Sequence, residues 1–214
     1  MKDFFYEWDG VNTWLFYTIN GWHNDTLDGA MQLGTLLGDH NRFALYLAAL
    51  ALVAWWQVTR GGEARRWLGV LTVFSLAYVL DGVLIGWLKH AFDFPRPYGV
   101  LPPETVHIVG VVETKHSFPS GHATFAATCA ASLWPLLGRY GRVAATAFVI
   151  WVAWSRISLG MHFPADVIAG ALLAIVIVIS LERGLHVLWR RFGSGHPPTA
   201  ATRSRRKRRT QTTA

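Results

Sequence analysis

Ser155-Arg156-Ile157-Ser158-Leu159-Gly160-Met161-His162-Phe163-Pro164-Ala165-Asp166 places an arginine, a histidine and an aspartate between two long apolar runs, about 143–160 and 165–188. An ionisable side chain at the centre of a membrane helix costs about 2.5 to 3.5 kcal/mol on insertion scales, so three in one turn need a chemical reason. Composition fixes what flanks them. The 214-residue chain is 52% hydrophobic, 14% aromatic and 15% charged, far below the roughly 25% charge of soluble domains. This is the composition of a polytopic membrane protein, and the fold class it implies is all-α, a transmembrane helical bundle.

Five spans are expected, at about 42–59, 67–90, 119–137, 143–160 and 165–188, each an apolar stretch of helical length. Residues 1–41 are the least decided part. The run from Val11 to Trp22 is too short to span and is followed by His23, Asn24, Asp25 and Asp28. We read 11–22 as an interfacial helix and 28–38 as a short tilted or re-entrant one, with a sixth span across 11–38 as the alternative. The expected organisation is therefore short helices over 1–41, a membrane domain over 42–192 and a disordered basic tail over 193–214. Eleven tryptophans and six tyrosines suit anchoring at the lipid boundary. The N-terminus carries Lys2 and then Asp3, Glu7 and Asp9, which is not the pattern of a cleavable signal peptide.

The net charge of +7 is concentrated in the tail, where six of the twenty basic residues fall within 203–209. That points to anionic lipid at a membrane surface and not to nucleic acid. Arg60, Arg65 and Arg66, then Arg139 and Arg142, then the tail mark one side as cytoplasmic by the positive-inside rule. The proline-containing segment 91–118 and the turn at 160–164 then face the other side of an inner (cytoplasmic) membrane. Cys129 is the one cysteine, lies in an apolar run and reads as packing.

Three polar clusters converge on that outer face: Lys89 to Pro97, Ser117 to His122, and the quoted turn. Lys89, Arg96 and Arg156 would repel one another unless an anion joined them, and arginine forks match oxyanions in bidentate fashion. Pro119-Ser120-Gly121 suits a helix start, with proline in the first turn and glycine letting a ligand approach the backbone. A held phosphoryl group could then be attacked by neutral His162, whose other nitrogen Asp166 would hold, while His122 protonates the leaving oxygen and later activates water. His90, His107 and His116 are assigned to loop solvation, with His116 close enough to shape the site; His23, His40 and His186 form no metal set. Asp81 lies eight residues, about 12 Å, before Lys89 and is either functional or a helix-packing residue. Asp93 and Glu113 receive no catalytic role, because acids repel a phosphate.

Lys89 with Arg96-Pro97 after six intervening residues, Pro119-Ser120-Gly121-His122, and Arg156 followed by His162 and Asp166 resemble the tripartite motif of the type-2 phosphatidic acid phosphatase superfamily, which shares its site with vanadium haloperoxidases. The resemblance covers about residues 80–170. It implies phosphohistidine formation at His162, Asp166 as its partner, His122 as general acid, and Lys89, Arg96, Ser120, Gly121 and Arg156 as phosphate ligands. It also implies a reaction on lipid phosphates at the outer leaflet without metal or other cofactor. Expected substrates are undecaprenyl pyrophosphate, phosphatidic acid, phosphatidylglycerol phosphate or a lipid A phosphate, with undecaprenyl pyrophosphate or a broad range preferred. A lipid phosphotransferase using the same residues and a non-enzymatic lipid or anion transporter are the rival readings.

Overall fold

The structure, a computed structural model, describes residues 6–193. The tail expected to be disordered and lipid-binding lies outside them. The described residues are helical, with no strand among them. In order they form α1 (Val11–Asn20), α2 (Asp25–Leu37), α3 (Phe43–Thr59), α4 (Ala64–Phe92), the single turn α5 (Pro97–Val100), α6 (Gly121–Leu133), α7 (Arg139–Ser158) and α8 (Pro164–Gly193). Two compact units are distinguished, 1–181 and 182–214. In the second, only the last turns of α8 are described.

Three segments are long and apolar enough to cross a membrane, His40–Thr59, Ala64–Val100 and Pro164–Arg191. Only 6% of the first is buried within protein, and Leu45, Leu52 and Trp55 point outward. A helix apolar on every face and covered on so little of it requires a lipid solvent. The expected count of five spans is met at these three. α6 has 13 residues, about 20 Å of rise, and ends in a 3-10 turn at Trp134–Leu136, where Pro135 cannot continue the ladder. α7 has the length, at 20 residues, but its arginines and small polar residues keep its hydropathy below that of a span. Residues 11–38 form two helices and not one. Asn24 caps α2 by accepting from the Leu27 amide at 2.9 Å.

α6 is the centre of the first unit. Its Ala123, Thr124, Ala126, Ala127, Thr128 and Ala130 are buried, and such small side chains let neighbouring backbones come close. α4 and α7 pack on it, α3 packs on α4, and α1 and α2 pack on α7. α8 approaches the start of α6 through Gly170, where an added Cβ would stand 2.6 Å from the Ser120 carbonyl oxygen. The segment 91–118, expected as a surface loop, turns inward: Arg96, Val106 and Ser117 are buried. Backbone bonds from Arg96 N to the Thr114 carbonyl (2.9 Å) and from Ser117 N to the Phe94 carbonyl (2.8 Å) close the segment on itself, and Arg96 ties it to the Met161 carbonyl at 3.2 Å.

Candidate active site

The turn after α7 wraps around one carbonyl. The amides of Met161 and His162 both donate to the Arg156 carbonyl, at 3.0 and 3.1 Å. Gly160, at φ +75°, makes this possible, and its missing Cβ would meet the His107 carbonyl oxygen at 2.4 Å. α8 then begins at once, so that Asp166 falls in its first turn. There the carboxylate accepts from the Phe163 amide at 2.9 Å, complementing the helix dipole.

His162 Nδ1 lies 3.2 Å from Asp166 Oδ2 and 3.3 Å from Ser117 Oγ. With Nδ1 so engaged, Nε2 is the nitrogen available to a ligand. Ser117 also donates to Asp166 Oδ2, and the Tyr6 hydroxyl donates to Asp166 Oδ1 at 2.7 Å. His162 is 2% exposed and Asp166 wholly buried. Burial first, and then Arg156, Arg96 and Lys89, hold the His162 imidazole well below the ordinary histidine range. It is a neutral base at physiological pH.

A cavity of about 620 Å³ is lined by His162, His122, Lys89, Arg96, Arg156 and Gly121. The other two expected ligands or partners, Ser120 and Asp166, sit behind this wall, both fully buried. Ser120 is the N-cap of α6 and its amide donates to the Asp166 carbonyl at 3.0 Å. Its hydroxyl has no partner among the described residues. Pro119, expected in the first helical turn, precedes the cap, and its peptide bond to Phe118 is cis. The leading amides of α6 lack intrahelical acceptors, and Gly121 and His122 present that end to the cavity.

The cations differ in how they are held. Lys89 Nζ donates to the His116 carbonyl at 3.0 Å, and His116 Nδ1 in turn lies 3.2 Å from the Lys89 carbonyl. Arg96 donates to the carbonyls of Lys115 (3.1 Å) and Met161 (3.2 Å) and pairs with Glu113. Arg156 is 8% exposed, reaches Thr35 Oγ1 at 3.3 Å from one nitrogen, and leaves Nε buried without a partner. Among the described residues no carboxylate pairs with it.

Several contributors were not legible in the sequence. Asn20 joins three segments, donating to the Ser158 carbonyl (2.9 Å) and the His107 carbonyl (2.7 Å) and accepting from the His107 amide (2.9 Å). Asn12 accepts from the Ala165 amide at 3.0 Å and so caps α8. His107 is not a solvated loop residue: its Nε2 is 2.9 Å from Asp28 Oδ2, and its ring stacks on His23 at 3.9 Å. His40 lines the cavity too, as do two residues that the sequence does single out, Glu113, expected at the mouth of the site, and Asp81, which accepts from Thr128. Ser117 had a local signal, its place three residues before Ser120. Tyr6, Asn12 and Asn20 had none.

The model of the PAP2 superfamily matches residues 70–190. The undecaprenyl-diphosphatase of Sulfolobus acidocaldarius is 30% identical over 164 residues, 77% of this chain and 73% of the relative. The lipid A 1-phosphatase of Rhizobium johnstonii is 37% identical over 111 residues; the match spans 49% of this chain and 42% of that protein's length. Among solved structures, the crystal structure of Aquifex aeolicus LpxE superposes with a TM-score of 0.68 at 26% identity, covering 81% of this chain and 95% of that one. With its apolar helices and these relatives the chain is a membrane protein. The family model covers more than half of the sequence, including every cluster that lines the cavity, and the chain belongs to the PAP2 superfamily.

Proposed function

We propose that this protein is an integral membrane lipid-phosphate phosphatase that works through a phosphohistidine at His162. The observation that carries the reading is Arg156, a buried guanidinium with no carboxylate partner and an unmet Nε–H among the described residues, in a cavity wall shared with His162 and His122. A buried, uncompensated charge is costly, and a phosphate dianion is the group that two arginine forks, a lysine and a helix N-terminus would compensate together.

In the proposed cycle His162 Nε2 attacks phosphorus; the N–P bond forms as the P–O bond to the lipid breaks, and His122 gives its proton to the departing oxygen. Water then attacks the phosphohistidine, His122 takes its proton, and inorganic phosphate leaves with His162 restored. Asp166 holds Nδ1–H and stabilises the positive imidazole while the N–P bond exists. Lys89, Arg96, Arg156, Gly121 and Ser120 bind the phosphoryl oxygens, and the positive charge they supply makes a metal unnecessary. The substrate class is a lipid phosphate or pyrophosphate, in keeping with the names of the relatives. We further propose that the site opens to the extracytoplasmic side of an inner membrane, with the basic tail on cytoplasmic anionic lipid. The organisation proposed is short helices over 1–41, a membrane domain over 42–192 and the tail beyond.

The test is release of inorganic phosphate by purified protein from a panel of lipid phosphates and pyrophosphates, with His162→Ala as control. Release that depends on His162 is expected. Equal release by His162→Ala would overturn the mechanism, and release from no lipid would overturn the function.

A further inference from the structure

The cavity continues past the cations along α4, whose Tyr78, Asp81, Gly82, Ile85 and Gly86 line it below Lys89. Among the described residues, no heavy atom outside the local helix backbone lies within 4 Å of where a Cβ would stand on Gly82 or Gly86, so these glycines leave open space on the helix surface instead of admitting a neighbouring helix. The walls at this depth are mostly apolar, with Val79, Val83 and Phe125; of the hydroxyls there, that of Thr124 is donated to the Ser120 carbonyl at 2.8 Å. Asp81 is the carboxylate among them. It is 5% exposed, its Oδ2 is engaged by Thr128, and its Oδ1 is buried with no partner among the described residues. The Thr128 hydroxyl has one proton and lies 3.0 Å from the Thr124 carbonyl as well. Whichever acceptor takes that proton, Oδ1 is left as an oxygen acceptor that no group among the described residues satisfies.

Asp81 and Lys89 are eight residues apart on one helix, about 12 Å in rise. A lipid whose phosphate meets the cations would therefore pass Asp81 about two turns deeper. An acceptor placed in an apolar channel discriminates strongly, because a ligand without the matching donor leaves it unpaired. On the reading of the site as a lipid-phosphate phosphatase, we propose that Asp81 is a specificity-determining residue that accepts a hydroxyl or amide N–H carried by the lipid itself. The favoured substrates are then lipid phosphates with an amide-linked or hydroxylated headgroup or acyl chain. Isoprenoid phosphates, the preference expected from the sequence, are hydrocarbon at that depth and lack the donor.

The experiment compares kcat/KM of the purified full chain on two probes, an N-acylated, hydroxyacylated glucosamine monophosphate lipid and a long polyprenyl monophosphate. The wild type should favour the first by at least tenfold. Asp81→Leu should bring the ratio close to one, and Asp81→Asn, which keeps a carbonyl oxygen at Oδ1, should retain most of it. If Asp81→Leu does not fold, the wild type is assayed on an ester-linked deoxy analogue of the sugar lipid. A tenfold loss there supports the assignment, and an unchanged rate overturns it. Phosphate release without discrimination by the wild type, or an Asp81→Leu ratio equal to that of the wild type, would overturn the role of Asp81 alone. Release from neither lipid would overturn the phosphatase reading and this one together.

Discussion

The hydroxyl of Tyr6 donates to Asp166 Oδ1 at 2.7 Å across 160 residues of sequence. Burial, followed by the Asp166 carboxylate, pushes the phenol above its usual ionisation range, so it remains a donor at any working pH. Its ring packs against Phe94 at 4.3 Å and against Phe118 and Phe163 at 6.0 Å. Tyr6→Phe keeps the ring and removes the bond. We expect kcat to fall about tenfold with KM nearly unchanged, and stability to fall by about 1 kcal/mol, the net worth of one hydrogen bond. An unaltered kcat would show that Ser117 and the Phe163 amide suffice to hold Asp166.

Arg156→Lys preserves the charge and discards the fork. An ammonium on a flexible stem cannot occupy two phosphate oxygens and Thr35 at once. A loss in kcat/KM of about a hundredfold is expected, near the cost of one preorganised transition-state donor. Steady-state kinetics on any lipid the wild type accepts would check it, and near-normal rates would remove Arg156 from the phosphate clamp.

His162 makes a prediction about pH. Its folded-state pKa lies below the unfolded value of 6.5. Between the two values the unfolded chain binds a proton that the folded chain refuses, so the stability contributed by neutral His162 is present above about pH 6.5 and is lost as pH falls below it. The thermal midpoint of the wild type should therefore decline on acidification more steeply than that of His162→Gln. Parallel curves for the two proteins would mean that the imidazole is not held neutral.

Charge compensation by side chains predicts indifference to chelation. EDTA should leave phosphate release within about twofold, whereas orthovanadate, which adopts the five-coordinate geometry of phosphoryl transfer, should inhibit competitively. An absolute requirement for magnesium in the same assay would count against the proposed mechanism.

What the sequence revealed depended on distance along the chain. Lys89, Arg96, His122, Arg156 and His162 could be grouped because each cluster is local and its chemistry demands the others, and they share one cavity wall. The long apolar helices α3, α4 and α8 were legible for the same local reason. α6 was read as a span because alanine, cysteine and leucine look apolar in a window, yet Pro135, two residues past its end, was the available stop signal. The inward fold of 91–118 was hidden because its prolines indicate a turn but not what the turn packs on. Asn12 and Asn20 look like polar interruptions in a weak helix. Their partners, Ala165 and Ser158, lie 153 and 138 positions away, and no periodicity reports such a pairing.

The bond from the Ala165 amide to Asn12 has a meaning for biogenesis. At synthesis rates of about 5–20 residues per second, α1 must wait on the order of ten seconds or more for the start of α8 to be made. The turn bearing His162 is itself made only at the end of that interval, three residues before Ala165, and its cap has waited in α1 since the start of synthesis. On the proposed mechanism the site is thus completed only when α1 clasps the start of α8, late in synthesis.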